Sequence, residues 1–162
     1  MCGIVAVTGY KKAVPLLMNG LEKLEYRGYD SAGIAIINPE SNSIICNKAE
    51  GKLKNLSSSL NDKNIPGTVG IGHTRWATHG KPEVKNAHPH TDSSGNIAVV
   101  QNGIIENFQD LKDKLEKEGV IFNSDTDTEV IPHLIERELN TLSKLNLENN
   151  SSTLLVAVRN VI

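Results

Sequence analysis

The chain opens Met1-Cys2-Gly3-Ile4-Val5-Ala6-Val7-Thr8-Gly9, and the reading of this stretch governs everything behind it. Gly3 to Gly9 is a short β-branched run closed by glycine, the pattern of a buried strand. It begins one residue after a cysteine, so a strand carries a thiol at its head. The stretch has no basic leader, and its apolar run is too short for a secretory signal. The second of the two cysteines is Cys46. No disulfide framework is expected, and the sequence reads as a reduced, cytoplasmic chain.

Working outward, Val14, Leu17, Leu21 and Leu24 recur at helical spacing, with Pro15 near the first turn, where its missing N–H costs little. Gly28 follows in the polar turn Arg27-Gly28-Tyr29-Asp30-Ser31. Ala32–Asn38 and Ile44–Ala49 read as two strands around Asn38-Pro39-Glu40-Ser41-Asn42. Leu53, Leu56 and Leu60 predict a short helix, and Thr68–His73 and Ile97–Gln101 two further strands. Asn107 is placed to cap a helix over Phe108, Leu111 and Leu115, with Gly119 as its stop. Val120–Phe122 reads as a short strand. Thr126-x-x-Glu129 reads as a capping box opening a helix through about Leu142, with Pro132 kinking its early turns. Leu142–Ser152 reads as a polar loop. A last helix carries Leu154, Leu155, Val158, Val161 and Ile162 on one stripe, a face that needs a cover. This order of elements makes the class α+β.

At 162 residues the chain is about one domain long, since domains commonly run to roughly 100–150 residues. Apolar residues make up 38% and 13 positions are glycine. Together these reach the roughly 45–50% of ordinary globular domains, which excludes disorder as a description of the whole chain. Seventeen Lys and Arg against nineteen Asp and Glu leave a net charge of −2, so no basic footprint points to nucleic acid or an anionic membrane. No apolar run approaches the roughly 20 residues of a membrane-spanning helix.

Four segments could carry chemistry. Trimming of Met1 would leave Cys2 with a thiol and a free α-amine on one residue. An amine titrating near roughly 7.7–8.0 can take the thiol proton, so the nucleophile would carry its own base. The structural alternative is a small apolar residue starting a strand. In His73-Thr74-Arg75-Trp76-Ala77-Thr78-His79-Gly80, Arg75 offers a planar fork for a carboxylate, Trp76 a wall, and Thr78 and His79 hydrogen bonds. Arg75 as a surface charge with its stem on the indole is an equal alternative. Gln101-Asn102-Gly103 is first a turn signal. It also offers the Asn102 amide and the Gly103 N–H as paired donors to an oxyanion. Asp127 suits the first turn of a helix through the macrodipole. It could equally hold an ammonium while Arg75 holds the carboxylate, and the two together describe a free α-amino acid. His73, His79, His88 and His90 lack any zinc-ligand spacing, and no metal is expected.

As an ordered set, Cys2-Gly3-Ile4-Val5, Glu25–Gly33, His73–Gly80, His88-Pro89-His90, Gln101–Asn107 and Thr126–Glu129 closely resemble one known family. It is the glutaminase domain of the glutamine–fructose-6-phosphate aminotransferases (glucosamine-6-phosphate synthases). The Cys-Gly-Ile start is shared with every class II glutamine amidotransferase, whereas the Tyr26–Gly33 and Thr74–Gly80 segments are more specific to the sugar enzymes. The resemblance implies an N-terminal-nucleophile hydrolase, a four-layer α/β/β/α sandwich of antiparallel sheets, without cofactor. It implies Cys2 as nucleophile and base-bearing residue, and Asn102 and Gly103 as oxyanion hole. Arg75, Trp76, Thr78, His79, Gly103 and Asp127 would bind L-glutamine, and Arg27 would support the nucleophile. The implied chemistry is hydrolysis of glutamine to glutamate and ammonia through a Cys2 thioester. The ammonia then goes to a sugar isomerase domain that makes glucosamine 6-phosphate from fructose 6-phosphate in a homodimeric full-length enzyme. In that family the glutaminase domain continues past Ile162. Residues 1–162 are therefore expected to be an incomplete glutaminase domain, truncated at its C-terminal end and lacking the isomerase domains. Its uncovered edges and faces would make it poorly stable alone. Two alternatives stand beside this: a non-catalytic, glutamine-binding remnant with Met1 retained, and the glutaminase domain of another class II enzyme such as amidophosphoribosyltransferase.

Overall fold

The computed structural model describes residues 1–60, 63–76, 81–145 and 151–161. Strand β1, Gly3–Val7, pairs with β4, Gly70–Arg75. β4 pairs with β2, Ser31–Asn38, and β2 with β3, Ser43–Glu50. The result is an antiparallel sheet in the order β1-β4-β2-β3.

The sequence of β4, Gly-Ile-Gly-His-Thr-Arg, explains why its two faces differ, because side chains alternate along a strand. Gly70 and Gly72 lie under helix α1, Ala13–Glu22. A Cβ on either would stand 3.1 Å or 3.0 Å from a Cδ1 atom of Leu17 or Leu21. Missing side chains thus let the helix sit close on the sheet. Helix α2, Leu53–Leu60, covers the other half of that face. Leu17, Leu21, Ile34, Ile36 and Leu56, all fully buried, form the core between them.

His73 and Arg75 point to the opposite face. There a two-stranded antiparallel ladder, β5 (His90–Thr91) and β6 (Ala98–Val99), makes a second β layer. The layers nearly touch: a Cβ on Gly33 of β2 would lie 2.2 Å from the His88 carbonyl oxygen. Helix α4, Val130–Lys144, packs on β5 and β6. It is flanked by α3, Phe108–Lys117, and α5, Ser151–Val161. Among the described residues the order of layers is helix, sheet, sheet, helix.

Several expectations need correction. The first strand ends at Val7 and is not buried on both faces, because β1 is the edge of its sheet and Ile4 is 39% exposed. Val120–Phe122 is not a strand. The Val120 N–H instead closes α3 by donating to the Leu115 carbonyl at 3.0 Å, and Val120 and Phe122 pack beside Leu115 and Val130. Thr126 and Glu129 do not form a capping box. The Glu129 carboxylate reaches past Thr126 to accept the N–H groups of Asn123 and Ser124 at 2.8 and 2.7 Å. It thereby holds a 3-10 turn, Asp127–Glu129, ahead of α4. Pro132 leaves α4 unbroken because it falls in the first turn, where little hydrogen bonding is lost. In α5 the fully covered residues are Thr153 and Ala157, with Val158 and Val161 of the expected stripe packed on the same clusters, whereas Leu155 is 69% exposed. Ile162 and the middle of the Leu142–Ser152 loop lie outside the described residues.

Candidate active site

Strand pairing assembles the site. Gly3 lies opposite Thr74, so the residue before β1 meets the residues ending β4. The Trp76 N–H donates to the Cys2 Sγ at 3.3 Å. The 3-10 turn Glu25–Arg27 closes against the same corner. Gly28 is required there, since a Cβ would stand 2.9 Å from both the Met1 carbonyl oxygen and the Trp76 nitrogen. Met1 is 73% exposed, and the Arg27 Nη2 donates to its Sδ at 3.6 Å. Tyr29 meets the Trp76 ring edge-on at 5.7 Å.

The second β layer supplies the facing wall. Asn102, just beyond β6, donates from Nδ2 to the Cys2 carbonyl at 3.1 Å, while its Oδ1 lies 2.8 Å from the His73 Nε2. The 3-10 turn ahead of α4 brings Asp127, whose Oδ2 accepts the Ile105 N–H at 2.7 Å. That turn is anchored by Glu129, as above, and by Asn86, whose Oδ1 accepts the Asp125 N–H at 2.9 Å. A hydrogen bond of 2.9 Å from the Thr128 Oγ1 to the Gln101 Oε1 joins it to the Asn102 segment. These elements enclose a cavity of about 330 Å³ lined by Cys2, Arg27, Arg75, Trp76, Asn102, Gly103 and Asp127, with Met1, His88, Gln101, Ile104, Thr126 and Thr128 around them.

Seven of the residues singled out in the sequence therefore share one cavity, and Thr78 and His79 lie outside the described residues. Arg75 is buried. Burial pulls its guanidinium down from its ordinary range, against the opposing pull of Cys2, Asp30 and Asp127, and an arginine stays charged regardless. A cation from the sheet and a carboxylate from the helical layer thus face one space, complementary to a zwitterion.

His73, His88 and His90 converge as well, though not as ligands. The His73 and His88 rings stack at 4.3 Å, and His90 meets His88 edge-on at 4.6 Å. The His88 Nδ1 accepts the Gln101 N–H at 3.4 Å, and the His90 Nε2 lies 2.9 Å from the Thr126 Oγ1. Burial pushes the His73 imidazole down to about 4, the hydrogen bond to Asn102 acting in the other direction. Burial lowers His88 and His90 too. Among the described residues no group of three or more His, Cys, Asp and Glu side chains could hold a metal ion. Sequence reasoning missed the supporting roles of His73, Asn86, Gln101 and Glu129. For His73 a signal existed: carried two residues further, the fourth strand puts His73 on the same face as Arg75.

This fold, with a thiol at the head of its first strand, is that of the N-terminal-nucleophile amidotransferases. Residues 45–146 match the family model described as glutamine amidotransferase domain, and the chain belongs to that family. It is 60% identical over 135 residues to the glutamine–fructose-6-phosphate aminotransferase [isomerizing] of Thermosynechococcus vestitus, covering 83% of this chain and 21% of that protein. The Nostoc sp. protein of the same name is 54% identical over 158 residues, covering 98% and 24%. The solved glutamine phosphoribosylpyrophosphate amidotransferase from B. subtilis, complexed with ADP and GMP, superposes with a TM-score of 0.75 at 27% identity over 99% of this chain and 32% of that one. The chain therefore spans about a fifth to a quarter of the length of these curated relatives.

Proposed function

We propose that the chain is the glutaminase domain of a glutamine–fructose-6-phosphate aminotransferase. It hydrolyses L-glutamine and supplies the ammonia from which a sugar isomerase domain makes glucosamine 6-phosphate. The observation that carries this is the single cavity in which Cys2, Asn102, Arg75 and Asp127 meet, combined with identities of 54–60% to enzymes of that name. The phosphoribosylpyrophosphate amidotransferase shares the fold at 27% identity, which favours the sugar acceptor over its own. The same reading assigns residues 1–162 to part of that domain, the protein to the cytoplasm and the full-length enzyme to a homodimer.

Removal of the exposed Met1 frees the Cys2 α-amine, which takes the thiol proton. Arg75 grips the substrate carboxylate and Asp127 its ammonium, so the side-chain amide of glutamine lies at the sulfur. Trp76 walls the pocket and Arg27 backs the nucleophile, while the roles of Thr78 and His79 in binding glutamine rest on the family resemblance alone. Attack forms the C–S bond and moves the carbonyl electron pair onto oxygen, where the Asn102 Nδ2–H and the Gly103 N–H receive it. Collapse breaks the C–N bond, and the nitrogen leaves as ammonia with the proton returned by the ammonium at Cys2. Water, activated by the same amine, hydrolyses the γ-glutamyl thioester and regenerates the thiol.

Intact mass and glutamate release test this together. The active species lacks one methionine, and Cys2→Ala abolishes release. A Cys2→Ala chain that still forms glutamate would overturn the proposal, and a stable chain that keeps Met1 and never turns over would support the remnant reading instead.

A further inference from the structure

We infer that His73 is a positioning residue for the oxyanion hole: its Nε2–H fixes which end of the Asn102 amide faces Cys2. The inference rests on the proposed role of Asn102.

The argument follows from donors and acceptors. The Cys2 main-chain carbonyl can only accept a hydrogen bond, so the Asn102 atom 3.1 Å from it must be the amino nitrogen. The amide oxygen then faces His73 at 2.8 Å, and the imidazole nitrogen there must carry a proton. The other ring nitrogen, Nδ1, makes no hydrogen bond of normal geometry, and the Gln101 main chain also bonds the ring in its proton-donating form. Stacking on His88 and full burial on β4 hold the ring in place.

With the proton moved to Nδ1, Nε2 would become an acceptor and attract the Asn102 amino group. The amide would turn over, and its oxygen would point at the Cys2 carbonyl and at any oxyanion formed beside it. One proton on one buried ring therefore sets the sign of the electrostatic field at the nucleophile. The amino group has two hydrogens, so holding the Cys2 carbonyl leaves one for a substrate oxygen.

The test uses the mature, full chain. Nitrogen-15 NMR of histidine-labelled protein is expected to show His73 as the Nε2–H tautomer, and an Nδ1–H signal would overturn the inference whether or not any variant folds. Kinetically, His73→Ala is expected to lower kcat for glutamate release about 10–100-fold with KM changed less than about twofold. Such a split marks an interaction made only in the transition state. His73→Gln, which can return a donor to the Asn102 oxygen, should recover part of that loss. In an Asn102→Ala background, removing His73 should cost nothing further. If the unmodified chain releases glutamate and His73→Ala matches it, this inference fails alone. If the unmodified chain releases none, the glutaminase reading fails first.

Discussion

His73, His88 and His90 cluster in the interior beside the cavity, and burial holds each below the ordinary imidazole value. An unfolded chain binds a proton at each of these rings below about pH 6.5. The folded His73 stays neutral down to about 4. Across that window the unfolded state holds more protons, so stability falls as pH falls. The slope is about 1.4 kcal/mol per pH unit for each ring that titrates only on unfolding. The urea midpoint should be flat above about pH 7.5 and drop steeply between pH 6.5 and 4. An equal midpoint at pH 7 and pH 5 would show that the rings are not held neutral. Glu129 acts in the same direction at lower pH: burial disfavours its ionised form, but the nearby His133 ring, 3.7 Å away, and hydrogen bonds from Asn123 and Ser124 outweigh this and lower it. Its contribution is lost only below its ordinary carboxylate range.

At the scale of elements, β2 and the segment before β5 approach so closely that only glycine fits between them. In Gly33→Ala the new methyl would meet the His88 carbonyl oxygen at 2.2 Å and the Asn47 carbonyl oxygen at 3.0 Å, both backbone atoms that cannot rotate away. The expected cost is about 3 kcal/mol, the upper part of the range for overpacking. It would be read as a lowered urea midpoint with unchanged m-value, and a wild-type midpoint would refute the close approach. Nothing in a single sequence announces such a contact. What the sequence did disclose were elements with strong local signals: the helix of Val14, Leu17 and Leu21, the hairpin about Pro39, the Leu53–Leu60 helix and the stop at Gly119. Readings failed where tertiary neighbours decide. Thr126 has the spacing of a cap, but Glu129 finds better donors in Asn123 and Ser124. Of the expected stripe on α5, Val158 and Val161 do pack on the core beside α4, whereas Leu154 and Leu155 stay exposed. Of the candidate site, Cys2, Arg75, Asn102 and Asp127 could be named from residue type and they line one cavity, whereas His73 beside Asn102 became visible only once β4 and the segment after β6 were side by side.

For the whole molecule, Arg75 and Asp127 belong to opposite layers, one on the sheet and the other on the turn ahead of α4. On the proposed reading a zwitterion held by both ties those layers together and stabilises the chain as a unit. In a Cys2→Ala chain, which cannot turn over, L-glutamine at 100 times its Kd should add about 2.7 kcal/mol. For a protein of this size that raises Tm by about 5–10 °C. An α-methyl ester of glutamine, lacking the carboxylate for Arg75, should leave Tm unmoved, and an equal shift with the ester would contradict the assignment of Arg75. The same long-range assembly has a consequence during synthesis. Cys2 leaves the ribosome well ahead of its neighbours: Trp76 is 74 positions behind it and Asn102 is 100 behind. At translation rates of about 5–20 residues per second, Asn102 is polymerised roughly 5–20 s after the thiol. Through that interval the thiol stands without the neighbours that later enclose it, and the spacing of the gene sets how long.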